Sequence, residues 1–269
     1  MDQNKSGKNE LFWSEKELEG GKCYLWQTGC FHLWVKRIND EFYIASEISD
    51  GTGCEGIFAA GREVEYPDEK QWSRWIIRGK DNTVRLAPVM PDRPVVIRPT
   101  LPVRIPGSQN GMFYMIIPSW VKISAGRSGE TVLCEKATGI LSNTWFGDPV
   151  SGELCYSLST DAVRTMEECP DRADMIICPV MIKNEYSEEL NIDRICVRTN
   201  YLSIFLSGTR LITNNVEVIY NGEENLTTVK YGKKAPSLPA GFKKLADPRS
   251  PAESMMRKTF SSFVSQTFN

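Results

Sequence analysis

Short runs of β-branched and aromatic residues, cut about every eight to twelve positions by Gly, Pro, Asn or Asp, fill most of this chain. CYLWQ, FHLWVKRI, EFYIASEI, QWSRWIIRG and NTVRLAPV lie before Met90; PVVIRP, MFYMIIP, WVKISAG, ETVLCEKA, MIICPVMIK, LNIDRICVR, YLSIFL and NVEVIYNG follow. Runs of this length suit strands and are too short for most helices. In WVKIS, Trp120 and Lys122 alternate against Val121 and Ile123, the period of a strand with one buried face. RINDEF and NNVEVIYNGEEN carry hairpin turn chemistry, which favours antiparallel pairing. The expected fold is all-β: mostly antiparallel, sandwich-like units in tandem.

Three segments are expected: an aromatic-rich β region over 1–86, a first β unit over 87–165, and a second over 166–269. DAVRTMEE and the Cys-Pro-Asp after it mark the last boundary, with a turn or short helix over 161–168. Seven of the fifteen prolines fall between Pro88 and Pro118, so strands there should be edges, or short and kinked. Arg93, Arg98 and Arg104 read as a solvated face opposite Val95, Ile97, Val103 and Ile105. One amphipathic helix is expected at the C-terminus, over 250–267. Ser250 suits its N-cap, Pro251 its first turn and Glu253 a capping box; Met256, Phe260, Phe263, Val264 and Thr267 make the apolar stripe. A faint repeat relates VIRP, Val96 to Pro99, to IICP, Ile176 to Pro179, and WVKISAG to YLSIFLSG. It places LSNTWFGDPVSGELCYSL and VIYNGEENLTTVKYG in equivalent positions, both as hairpins.

ATGILSNTWFGDPVSGELCYSL and ADMIICPVMIKNEYSEELNIDRICVR resemble parts of an uncharacterised prokaryotic family of unknown function, over the middle and C-terminal half of the chain. The resemblance implies no activity.

Composition excludes several functions. The chain has 269 residues and a net charge of −2, which gives no field to attract nucleic acid or an anionic membrane. No apolar run approaches the ~20 residues of a membrane span, and MDQNKSGKNE is no secretory signal. A cytoplasmic location with reduced thiols is expected. The eight cysteines form no CxxC, and with His32 as the single histidine neither a metal site nor a cofactor is indicated. A GxGxxG at Gly51-Thr52-Gly53-Cys54-Glu55-Gly56 lacks the βαβ context of a dinucleotide site and reads as a loop. His32 with Cys23, Cys30 or Cys54 would make a nucleophile–base couple, but a histidine on the polar face of a strand is the simpler reading.

The remaining candidates are aromatic and acidic. Trp145, Phe146, Asp148 and Glu153 crowd one loop of turn-forming residues. The two carboxylates are candidate acid and base, with Trp145 as a platform for a sugar ring; alternatively Trp145 caps the core. Trp26 and Trp34 are placed to face each other across a hairpin, and Trp72 and Trp75 have opposite parity, so one should face outward. The expected function is non-catalytic: a binding or scaffold protein acting by contact with another protein or with itself. Its surfaces would be the aromatic N-terminal sheet, with Trp72 and Trp75, and the Trp145–Glu153 loop. The alternative is a carbohydrate-binding or carbohydrate-hydrolysing β-sandwich using Asp148 and Glu153.

Overall fold

A computed structural model describes residues 12–49, 57–79, 81–127, 129, 131–150, 152–160, 163–222, 227–234, 236, 241–250, 255–258 and 264–265. The N-terminal third carries β1 (Glu15–Glu17), β2 (Cys23–Thr28), β3 (Phe31–Ile38), β4 (Glu41–Ile48), β5 (Phe58–Val64), β6 (Ser73–Ile76) and β7 (Thr83–Val89). The middle carries β8 (Val95–Pro99), β9 (Val103–Ile105), β10 (Asn110–Pro118), β11 (Trp120–Ala125), β12 (Thr131–Ala137), β13 (Ser142–Phe146) and β14 (Glu153–Thr160). Then come β15 (Met175–Asn184), β16 (Leu190–Ile192), β17 (Arg194–Val197), β18 (Ile204–Ser207), β19 (Arg210–Thr213), β20 (Val216–Tyr220), β21 (Thr227–Tyr231), β22 (Lys243–Ala246), β23 (Met255–Lys258) and β24 (Val264–Ser265). The protein is all-β and mostly antiparallel; β14 on β8, and β19 and β20 on β15, are parallel.

Five sheets result. β5-β2-β3-β4-β6 is the N-terminal sheet, β1-β7-β11-β12 a second, β13-β14-β8-β17-β24 a third, and β16-β9 a two-stranded ribbon. The largest runs β22-β18-β19-β15-β20-β21-β23, with β10 on the other edge of β15. One contiguous apolar core draws on all five, including Trp26, Leu33, Leu86, Ile97, Ile105, Met115 and Ile182. Val121 and Ile123 are buried as their alternation requires, with Trp120 and Lys122 half-exposed. The β3–β4 hairpin closes through Asn39-Asp40, and Asn39 takes the left-handed conformation at φ 54° that this tight turn needs.

Proline placement explains a break in the largest sheet. β15 pairs with β19 at Ile176–Ile177 and with β20 from Val180 onward, so Pro179 lies where neither strand pairs. Tyr114, opposite Pro179 on β10, donates its N–H outward to the Val163 carbonyl, so this pair exchanges no ladder bonds and Pro179 turns its missing donor into the gap. Asn214 bridges that gap: its Oδ1 accepts Ser203 N–H at 2.8 Å and its amide donates to the Gly232 carbonyl at 2.5 Å. Pro94 and Pro99 bound β8, which is short as expected but central in its sheet rather than an edge.

The C-terminal segment corrects one expectation. Met255–Lys258 and Val264–Ser265 are strands on the open edges of β21 and β17, not turns of a helix. Three apolar residues in these six, Met255, Met256 and Val264, fit a strand as well as a helical stripe, and each free sheet edge offers unpaired main-chain groups that a helix leaves unsatisfied. The other positions of the expected 250–267 helix, apart from Ser250, lie outside the described residues. Strand pairs also cross the expected segment borders: β10 with β15, β8 with β17, and β9 with β16 join 87–165 to 166–269. The two loops expected as equivalent hairpins do both join antiparallel partners, β13–β14 and β20–β21.

Candidate functional site

The β13–β14 hairpin holds three of the candidate residues in register, Trp145 opposite Leu154 and Phe146 opposite Glu153, with Asp148 in the loop between the strands. Its loop is built by Gly147, at φ 100°, and by Asp148, whose Oδ1 accepts the Val150 N–H at 2.8 Å. The Asp148 carbonyl accepts two more bonds, from Gly152 N–H at 2.7 Å and from the Trp145 indole at 3.0 Å. Trp145 therefore braces its own loop. It remains 48% exposed rather than capping the core, because the residue facing inward at this end of the hairpin is Phe146. Trp145 and Leu154, the latter 46% exposed, form an apolar cross-strand pair in solvent, with Val150 93% exposed at the tip.

The other face of the hairpin is closed. Phe146 packs with Val96, Cys155 and Cys196, all buried. Glu153 forms an ion pair with Arg198, whose side chain is only 6% exposed, and the Arg194 guanidinium lies 5.6 Å above the Phe146 ring. A hydrogen bond to Cys155, together with burial, holds the Cys196 thiol protonated, above the ordinary thiol range. The two candidate carboxylates are thus directed to different partners: Asp148 to its own turn, Glu153 to Arg198. Arg198 was not legible as a site residue, since its partner lies 45 positions away in sequence.

The N-terminal sheet turns a row of rings outward. His32 stacks on Trp34 at 5.5 Å, and the Lys70 ammonium lies 5.2 Å from the same indole. Trp72 stacks on Tyr66 at 4.8 Å, Lys36 lies 3.8 Å from the Tyr66 ring, and the Trp72 indole donates to the Pro67 carbonyl. Trp75 packs against the core instead, so the opposite parity of Trp72 and Trp75 is real, although Trp72 is half-buried by its stacking partner. Trp26 and Trp34 do not face each other. The register pairs Trp26 with Leu33 and Leu25 with Trp34, and this one-residue offset sends Trp26 into the core and Trp34 to the surface.

The remaining chemistry-bearing residues are engaged elsewhere. His32 Nδ1 lies 3.2 Å from the Cys30 carbonyl and 3.3 Å from Ser49 Oγ. Cys30 is disulfide-bonded, which corrects the expectation of reduced thiols throughout and removes Cys30 as a nucleophile. Cys23, Cys134, Cys155, Cys169, Cys178 and Cys196 are free, and burial pushes the Cys178 thiol up to about 12 and that of Cys169 to about 11. The GxGxxG at 51–56 lies outside the described residues. Among the described residues no three His, Cys, Asp or Glu gather as for a metal ion, and no helix is long and apolar enough to cross a membrane.

No curated protein and no solved structure matches this chain. A family model does, over residues 12–266, which takes in the described part of all five sheets. The likeness carried by two segments therefore extends over nearly the whole sequence: the chain belongs to the protein family of unknown function DUF432.

Proposed function

We propose that the protein is a non-catalytic, cytoplasmic binding or scaffold protein whose β13–β14 hairpin docks on another protein. The observation that carries this reading is the Trp145–Leu154 pair, two large apolar side chains facing solvent on a hairpin. The Trp145 indole bond to Asp148 O already fixes the ring, so little side-chain entropy is left to lose on binding. A partly exposed tryptophan on a rigid support is the usual anchor of a protein contact. On this reading the sheets serve as tandem sandwich-like supports, and the outward rings around Trp34 and Trp72 offer a second contact face.

The test is affinity capture with the wild-type protein and a Trp145→Ser, Leu154→Ser double variant, followed by rebinding of each captured protein in purified form. A partner held by the wild type and weakened about tenfold or more by the variant supports the reading. Equal capture by both, with a monomer in light scattering, sinks it. A carbohydrate reading draws on the same exposed indole ring. A glycan array read with a hydrolase screen tests that alternative, and silence in both removes it.

A further inference from the structure

β9 and β10 are joined by only four residues, 106–109, a length that ordinarily closes a hairpin. Here the two strands do not pair. β9 pairs with β16 and β10 with β15, so the chain leaves its turn as a V. The vertex is rigid. The buried Asn184 amide donates to the carbonyls of Ile105, Pro106 and Glu188 at 3.0, 3.1 and 2.7 Å, while its Oδ1 accepts Tyr186 N–H. A side chain at Gly107 would meet the Ser187 carbonyl at 2.1 Å, so the turn and the Ser187 backbone are in direct contact.

Between the arms lies an open groove of about 690 Å³, floored by Val103, Ile105 and Phe113. Among the described residues its charged lining is Arg104 and Arg164, with no carboxylate. The Arg164 guanidinium lies 4.6 Å above the Phe113 ring and has no ion pair among the described residues; Arg104 reaches Glu189 only at 3.6 Å. The groove also offers main-chain groups. Tyr114 N–H points away from β15 to Val163, so by the alternation of the ladder Met112 and Asn110 present their N–H and C=O on the same edge. No strand pairs with that edge at 110–112 among the described residues.

We propose that this groove takes an extended, acidic segment of a partner protein, which adds as a strand to the edge of β10 while its carboxylates meet Arg104 and Arg164. Main-chain bonds supply the affinity of such strand addition and side chains its selection. The guanidinium fork suits a carboxylate, and Arg164, stacked on Phe113, is already oriented. The proposal concerns a surface separate from the Trp145 hairpin, so either can fail alone.

The test uses the full-length protein and fluorescence anisotropy with a labelled peptide of alternating glutamate and valine. Controls are the glutamine–valine and lysine–valine peptides, a backbone N-methylated acidic peptide, and free glutamate. Saturable binding of the acidic peptide is expected. The Arg104→Gln, Arg164→Gln double variant should weaken it about tenfold or more, as should N-methylation. Trp145→Ser should leave it unchanged. No binding of the acidic peptide, equal binding of the lysine–valine peptide, or indifference to the arginine variants overturns the proposal. Displacement by free glutamate at comparable concentration overturns the strand-addition part.

Discussion

Replacing Gly152 with alanine probes whether the β13–β14 loop is built as described. An added Cβ would lie 2.4 Å from Trp145 Nε1, 2.6 Å from the Asp148 carbonyl and 2.7 Å from the Phe146 carbonyl. Two of these three neighbours are main chain and cannot swing aside, so the loop must open. Opening it breaks the Gly152 N–H and Trp145 indole bonds to Asp148 O, each worth about 1 kcal/mol net. Solvent reaches the freed groups and limits the loss, which we set at about 1–3 kcal/mol, the usual range for overpacking. For a domain of this size that lowers Tm by about 2–4 °C per kcal/mol. The assay is thermal unfolding of Gly152→Ala beside Gly241→Ala, where an added Cβ meets nothing within 4 Å and the change should stay within about 0.5 kcal/mol. A ¹⁵N-indole spectrum reads Trp145 directly. A Gly152→Ala protein with unchanged Tm and an unshifted Trp145 indole signal would falsify the account of the loop.

Glu153→Ala leaves the buried Arg198 guanidinium without that carboxylate and should cost about 2–3 kcal/mol in urea unfolding, with Glu153→Gln recovering part; equal stability of all three proteins contradicts the pairing. Asn184→Leu strips one amide from four backbone groups at the β9–β10 vertex and should cost about 3 kcal/mol or more, measured the same way. The Asp81 carboxylate accepts N–H bonds from Thr83 at 2.9 Å and Arg127 at 3.0 Å, and the Thr83 bond leads in holding its pKa below the ordinary value. With the folded pKa depressed, its contribution is full above the ordinary carboxyl range and disappears as pH falls through the folded value. Asp81→Asn should therefore flatten the acid side of the stability curve, and a curve parallel to the wild type's would count against this.

Local patterns in the sequence carried the strand content and the hairpins, because alternation and turn residues act over a few positions. Asn39-Asp40 and Gly147-Asp148 read correctly as turns for that reason. Partner choice was not legible. The parallel seat of β14 on β8, the separation of β9 from β10 and the reach of Arg198 to Glu153 all join distant positions with no local mark. Face assignment failed where one residue decides it. The sequence alone lets Trp26 face Trp34 and Trp145 cap the core, but the register offsets the first pair and Phe146 takes the buried place beside Trp145. The C-terminal segment misled because its apolar spacing fits both periods, and only an open strand edge elsewhere in the fold decides between them.

The central place of β8 sets a schedule for the growing chain. Val96 pairs with Cys196, 100 positions further along the chain. At about 5–20 residues per second, the ribosome delivers that partner about 5–20 s after β8 itself emerges. Through that interval Val95, Val96 and Ile97 form an apolar strand with an unclaimed edge, the kind of segment that recruits other chains. Pro94, Arg98 and Pro99 flank it on both sides and act as gatekeepers against such encounters. The prolines that shorten β8 in the finished sheet thus protect it during synthesis, before the finished sheet exists.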